Sequence, residues 1–147
     1  MKSGVNPGSM KVELKKADAN FHFKAVGSAG IVIDIDAAAS IGGHNSGARP
    51  MELMLMSLGA CSAIDVIQIL KKQKQVIKEF NITVDGEREA DKIPSLFKEI
   101  KIHFTLRGNI DEKKVKRAVE LSINKYCSAA AILNKTASIS YSLNIER

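Results

Sequence analysis

The chain has no tryptophan, and it has only three prolines, three histidines and two cysteines among 147 residues. Two cysteines are too few for a disulfide scaffold, and in a reducing compartment we expect them to be free, catalytic or transiently paired thiols. The histidines His22, His44 and His103 lack the spacing of a metal site, so we expect no metal. Since no aromatic platform lies beside the lysine clusters, the net charge of +6 indicates solvated helix faces, not nucleic-acid binding.

The most apolar stretch, residues 51–70, is interrupted by Glu52 and Asp65. A charge near the centre of a membrane span costs roughly 2.5–3.5 kcal/mol, so we expect a helix buried inside a protein and no membrane partner. Residues 1–9 are small, polar and turn-prone, which predicts a disordered lead or an expression scar before a domain at 10–147. No secretory signal is visible, and we expect a cytoplasmic location.

Hydrophobic periodicity predicts strands on both sides of one long helix. Strands are expected at 11–16, 20–26, 31–35, 80–84, 100–106 and 137–145, and helices at 51–73, after Asp111, and up to about Leu133. Because the strands cluster and do not alternate with helices, the pattern predicts an α+β fold. Its mainly antiparallel sheets would pack around a long, central, buried helix.

Each of the two cysteines lies in an apolar helical segment. Cys61 is in the middle of the long helix, and Cys127 follows Lys125-Tyr126 at or just past the end of the second helix. Composition alone favours packing, because cysteine is among the most buried residues. Asp65 lies four residues after Cys61 on the same helix face, where a carboxylate opposes a thiolate. Redox chemistry at Cys61 would therefore need a cation from elsewhere in the chain.

The string Pro50-Met-Glu-Leu-Met-Leu-Met-Ser-Leu-Gly-Ala-Cys61-Ser-Ala-Ile-Asp-Val, with Lys125-Tyr-Cys127-Ser-Ala-Ala after it, resembles the OsmC/Ohr family and its YhfA-like branch. The resemblance covers residues 10–147. It implies an intertwined homodimer with two long central helices back to back, and no cofactor. It also implies reduction of organic hydroperoxides in oxidative-stress defence. Cys61 would form a sulfenic acid, Cys127 would resolve it to a disulfide, and a dithiol reductant would restore both thiols.

The family pattern also suggests further site residues. Its glutamate directly follows the proline, where this chain has Met51, so the candidate carboxylate is the next residue, Glu52. Arg49, the first arginine of the chain, is the candidate cation, with Lys24 or His44 as alternatives. Met51 and Met54 would give a soft apolar wall to a substrate site, and His44 would line the thiol pocket. The alternative is a non-catalytic OsmC-like dimer that binds a hydrophobic small molecule or senses redox state.

Overall fold

The structure, a computed structural model, describes residues 8–147, so most of the predicted lead at 1–9 lies outside the described residues. The chain divides into two compact units, one up to Leu53 and the other from Met54 to Arg147.

The first unit contains a three-stranded antiparallel sheet, as the sequence predicts. Its strands are β1 (Glu13–Lys16), β2 (Phe23–Val26) and β3 (Val32–Ile35), paired in chain order. The predicted turn between β2 and β3 is closed by the Gly30 amide, which donates to the Gly27 carbonyl at 3.2 Å. Gly30 has a φ of 73°, which a glycine adopts without steric cost.

The buried side chain of Asp36 holds the glycine-rich loop that leads into the long helix. Its carboxylate accepts backbone N–H groups of His44 at 3.0 Å, Ser46 at 3.1 Å and Ala37 at 2.8 Å. These hydrogen bonds, the one from His44 foremost, keep the pKa of Asp36 below its ordinary value. The loop is therefore fixed at several points, whereas its glycine content alone indicates a mobile segment.

The second unit is built on a three-stranded mixed sheet. Its strands are β4 (Val76–Arg88), β5 (Phe97–Asn109) and β6 (Ser138–Glu146), and its helices are α1 (Pro50–Lys72, which starts in the first unit), α2 (Glu112–Leu121) and α3 (Ser128–Leu133). Strands β4 and β5 are antiparallel, but β5 and β6 are parallel. The sheets are mainly antiparallel, as predicted, and this last pair is the exception. The chain crosses over through α2 and α3 between the two strands, and such a crossover returns it in the same direction.

One face of α1 is buried in the second unit, and Gly59 on that face meets β4. A Cβ at Gly59 would lie 3.1 Å from Val84 Cγ2, so the absence of a side chain permits a close approach. Four large apolar side chains of α1 are exposed: Met54, Met56, Ile64 and Ile67. By length and composition alone α1 could cross a membrane, a test that core helices of soluble proteins also pass. In the single chain, the predicted central helix is thus buried on one face.

Strand β5 supplies much of the core, and its alternation matches the sequence prediction. Its inward side chains are buried, and α2 adds three more: Phe97, Ile100, Ile102, Phe104, Leu106, Val115, Ala118 and Val119. Asp111 precedes α2, as predicted, and its carboxylate accepts the Lys114 N–H at 3.0 Å, which caps the helix.

Candidate functional site

Cys61 lies near the middle of α1 at the border of its buried face. Its side chain is half-buried, whereas the next residue, Ser62, is fully buried. Asp65 is one turn further along and also half-buried. Because residues four apart share a helix face, α1 alone holds the Cys61 thiol and the Asp65 carboxylate side by side.

Cys127 lies at a break between two helical segments. After α2, residues Ser122–Tyr126 form a π-helical turn, which the Cys127 N–H closes by donating to the Ser122 carbonyl at 2.7 Å. Cys127 then adopts an extended conformation and becomes the N-cap of α3, where its Sγ accepts the Ala130 N–H at 3.3 Å. Such π-turns are frequent at functional sites, and this one places the second thiol.

Helix α1 and the turn that ends at Cys127 bring three side chains together. One donor atom from each of Cys61, Asp65 and Cys127 lies within 4.8 Å of the other two, and both cysteines are free thiols. The two cysteines differ in access, because Cys127 is only 2% exposed. Burial, with added contributions from Cys61 and Asp65, raises the pKa of the Cys127 thiol to about 11. Cys127 is therefore a neutral thiol at physiological pH.

A buried hydroxyl chain orients the carboxylate of this cluster. Ser122 Oγ lies 2.9 Å from Asp65 Oδ2 and 3.0 Å from Ser62 Oγ. Since a hydroxyl has one proton, the arrangement is satisfied when Ser62 donates to Ser122 and Ser122 donates to Asp65. Both serines are fully buried, so their hydrogen bonds fix α1 to the segment that precedes Cys127.

Arg49 and Glu52, the predicted cation and carboxylate, are paired with each other at the start of α1. Arg49 Nη1 lies 3.1 Å from Glu52 Oε1, and the Arg49 N–H also points to that oxygen at 3.4 Å. With Pro50 as the first helical residue, this resembles a capping box, in which the third residue of the helix bonds back to the cap. Nine residues separate Glu52 from Cys61, about 900° of helical rotation, so their side chains leave α1 on opposite sides.

The three predicted substrate-site residues have separate environments. His44 is in the first unit, where its Nε2 lies 2.6 Å from Asn20 Nδ2. Met51 is half-buried in the first turn of α1. Met54 is exposed in the second unit. A role of these residues toward a substrate stays a prediction.

Sequence reasoning named Cys61 and Cys127 and noted Asp65, but it did not find the contribution of Ser62 and Ser122. Ser62 follows Cys61 directly, and Ser122 precedes Cys127 by five residues, the spacing of a π-turn closure. Neither spacing is a recognised ligand or catalytic pattern, so the tertiary contact between α1 and the α2–α3 segment was needed to find them.

Comparisons with known proteins identify the family of the chain. The family model of OsmC-like proteins matches residues 43–142. The chain belongs to the OsmC-like family. Protein YhfA of Escherichia coli K12 is 41% identical over 105 residues, which is 69% of this chain and 78% of that protein.

Two solved structures have the same fold. A hypothetical protein from Aquifex aeolicus VF5 has a TM-score of 0.78 and 35% identity, with 95% of this chain and 98% of that chain covered. An organic hydroperoxide resistance protein from Elizabethkingia anophelis has a TM-score of 0.72 and 13% identity, with 99% and 100% covered, a likeness that shows the fold alone.

Proposed function

We propose that this OsmC-like protein is a cytoplasmic thiol peroxidase that reduces organic hydroperoxides in oxidative-stress defence. The observation that carries the proposal is the asymmetry of the two thiols. They lie within 4.8 Å of each other, yet one is half-buried and the other is 2% exposed with a raised pKa. A peroxidatic cysteine must be accessible to the substrate, whereas a resolving cysteine must stay a thiol close to the peroxidatic one.

The first chemical step takes place at Cys61. Its thiolate sulfur attacks the terminal oxygen of the hydroperoxide, so an S–O bond forms and the O–O bond breaks. The alkoxide leaves and takes up a proton to become the alcohol, and Cys61 becomes a sulfenic acid.

The second step uses Cys127. Its sulfur attacks the Cys61 sulfur, the S–O bond breaks, and the hydroxide takes the thiol proton and leaves as water. A disulfide has an S–S length of about 2.0 Å, so the sulfurs must approach by less than about 3 Å. A dithiol reductant then supplies two electrons and two protons and returns both cysteines to thiols.

The proposed assembly is a homodimer. Apolar side chains of β1 and β3 are exposed in the first unit, as are Met54, Met56, Ile64 and Ile67 of α1 in the second. An exposed apolar helix face of this length is typical of a protein interface. In sedimentation equilibrium we expect a dimer, and Ile64→Asp should shift it to monomer. Ile93→Asp, at an exposed loop position, is the matched control. A monomeric wild type would contradict the assembly.

The activity is tested by stopped-flow consumption of cumene hydroperoxide with a dithiol. Cys61→Ser removes the nucleophile, so the rate should fall roughly a hundredfold or more. Cys127→Ser should keep one fast oxidation per chain and lose turnover. Equal slow rates in wild type and Cys61→Ser would sink the peroxidase proposal. They would favour the alternative of a non-catalytic dimer that binds a hydrophobic small molecule or senses redox state. The Asp65 carboxylate beside both sulfurs is compatible with that alternative.

A further inference from the structure

We infer that the reduced protein binds one Zn²⁺ per chain through Cys61 Sγ, Cys127 Sγ and a carboxylate oxygen of Asp65. This site goes beyond the proposed function and does not depend on it. The histidines gave no metal signal in the sequence, and the two cysteines are too far apart in the chain to form a ligand motif. The site arises only because the turn after α2 brings Cys127 to the Cys61–Asp65 face of α1.

The donor set selects the metal. Two thiolates and one carboxylate suit a borderline-soft ion such as Zn²⁺, whereas Mg²⁺ and Ca²⁺ prefer oxygen ligands alone. Three protein donors leave a fourth tetrahedral position for water or another small ligand. With Zn–S bonds of about 2.3 Å, the two sulfurs of a tetrahedral site lie roughly 3.8 Å apart. The observed limit of 4.8 Å therefore requires a contraction of about 1 Å or less.

The groups around the three donors are also suited to a metal. Asp65 is oriented by the Ser122 hydroxyl at 2.9 Å, and Cys127 Sγ accepts the Ala130 N–H at 3.3 Å. Such outer contacts hold ligands in place and stabilise the anionic form that coordinates. Asp65 also borders an open cavity of about 500 Å³ lined partly by Gln68, Lys72 and Tyr126, which gives an ion a path from solvent.

Zn²⁺ binding releases two protons, and it is incompatible with a disulfide between Cys61 and Cys127. The two thiols lose two protons to the buffer as the Zn–S bonds form, and Asp65 contributes a carboxylate. No electrons move, and a competing chelator, acid or oxidation of the sulfurs would release the metal. Zn²⁺ should therefore protect both thiols and inhibit any turnover that depends on them.

The test is an anaerobic titration of the full chain, reduced by a phosphine, with Co²⁺ as a spectroscopic probe and Zn²⁺ in chelator competition. We expect one ion per chain and a thiolate-to-cobalt charge-transfer band. Cys61→Ser and Cys127→Ser should each weaken affinity by about 100-fold, and Asp65→Asn by about 10-fold. Asp85→Asn, a surface carboxylate of β4 that pairs with His103, should leave affinity unchanged.

A measurement on the unmodified protein guards against variants that misfold. In wild type, one equivalent of Zn²⁺ should slow iodoacetamide labelling of both cysteines at least tenfold. Lack of a charge-transfer band, undiminished binding in the cysteine variants, or full labelling with Zn²⁺ present would overturn the site. Equal affinity in Asp65→Asn would overturn the three-donor assignment. The readouts are binding and labelling, so they succeed or fail independently of peroxidase activity.

Discussion

The surroundings of Cys61 and of Cys127 give two identical side chains different exposure within one fold. Cys61 lies on a continuous helix and is half-buried, so a small molecule can reach it. Cys127 lies at a helix break, is 2% exposed and has a pKa raised to about 11. The difference comes from the backbone: an unbroken helix presents its side chain, whereas the turn at Ser122–Tyr126 directs the second thiol inward.

The largest expected effect is on the reactivity of the Cys127 thiol towards iodoacetamide, which the fold should suppress. In the folded chain its pKa rises from 9.0 to about 11, so between these pH values the unfolded chain has lost the thiol proton and the folded chain keeps it. At pH 8 the folded thiolate fraction should be about a hundredfold below the unfolded one, since each pKa unit is tenfold.

This contrast is measured as the pH dependence of iodoacetamide labelling at Cys127, by mass spectrometry, in native buffer and in urea. The midpoint of the curve reports protonation, and slow access to a buried thiol does not move it. We expect native labelling to rise only towards pH 11. Superimposable native and urea curves would show that the fold does not set the two cysteines apart.

Asp65 should moderate the reactivity of the thiol pair by a smaller amount. Its carboxylate oxygen is within 4.8 Å of both sulfurs and is one of the groups that raise the pKa of the Cys127 thiol. Asp65→Asn removes the charge and keeps an oxygen for the Ser122 hydroxyl, so oxidation by hydroperoxide should speed up about three- to tenfold. The rate is read by single-turnover stopped flow, with Asp85→Asn as control. An unchanged or slower rate would mean that the carboxylate does not act on the sulfurs.

The sequence predicted most of the fold because its signals are local. The alternation in β5, the helix start after Asp111 and the Gly27–Gly30 turn each depend on a few neighbouring residues, and the structure contains all three. The parallel pairing of β5 with β6 was missed, because strand direction depends on the path of the crossover and not on the strand's own pattern.

The candidate site was predicted only in part, and for a related reason. Cys61 and Cys127 stood out as the only cysteines, and Asp65 followed from helical spacing. The contact of Ser122 with Asp65 and Ser62 joins residues 57 and 60 positions apart, which no local pattern encodes. Glu52 and Arg49 pair with each other at the helix start, and a catalytic role for them stays a prediction.

The central claim is that Cys61 is the residue oxidised first and that Cys127 resolves it. The most direct measurement treats Cys127→Ser with one equivalent of cumene hydroperoxide, followed by dimedone trapping and peptide mass spectrometry. We expect one dimedone adduct per chain on Cys61 in this variant, and in wild type a Cys61–Cys127 disulfide with no adduct. An unmodified Cys61 in the variant, or an adduct on Cys127 in Cys61→Ser at a similar rate, would contradict it.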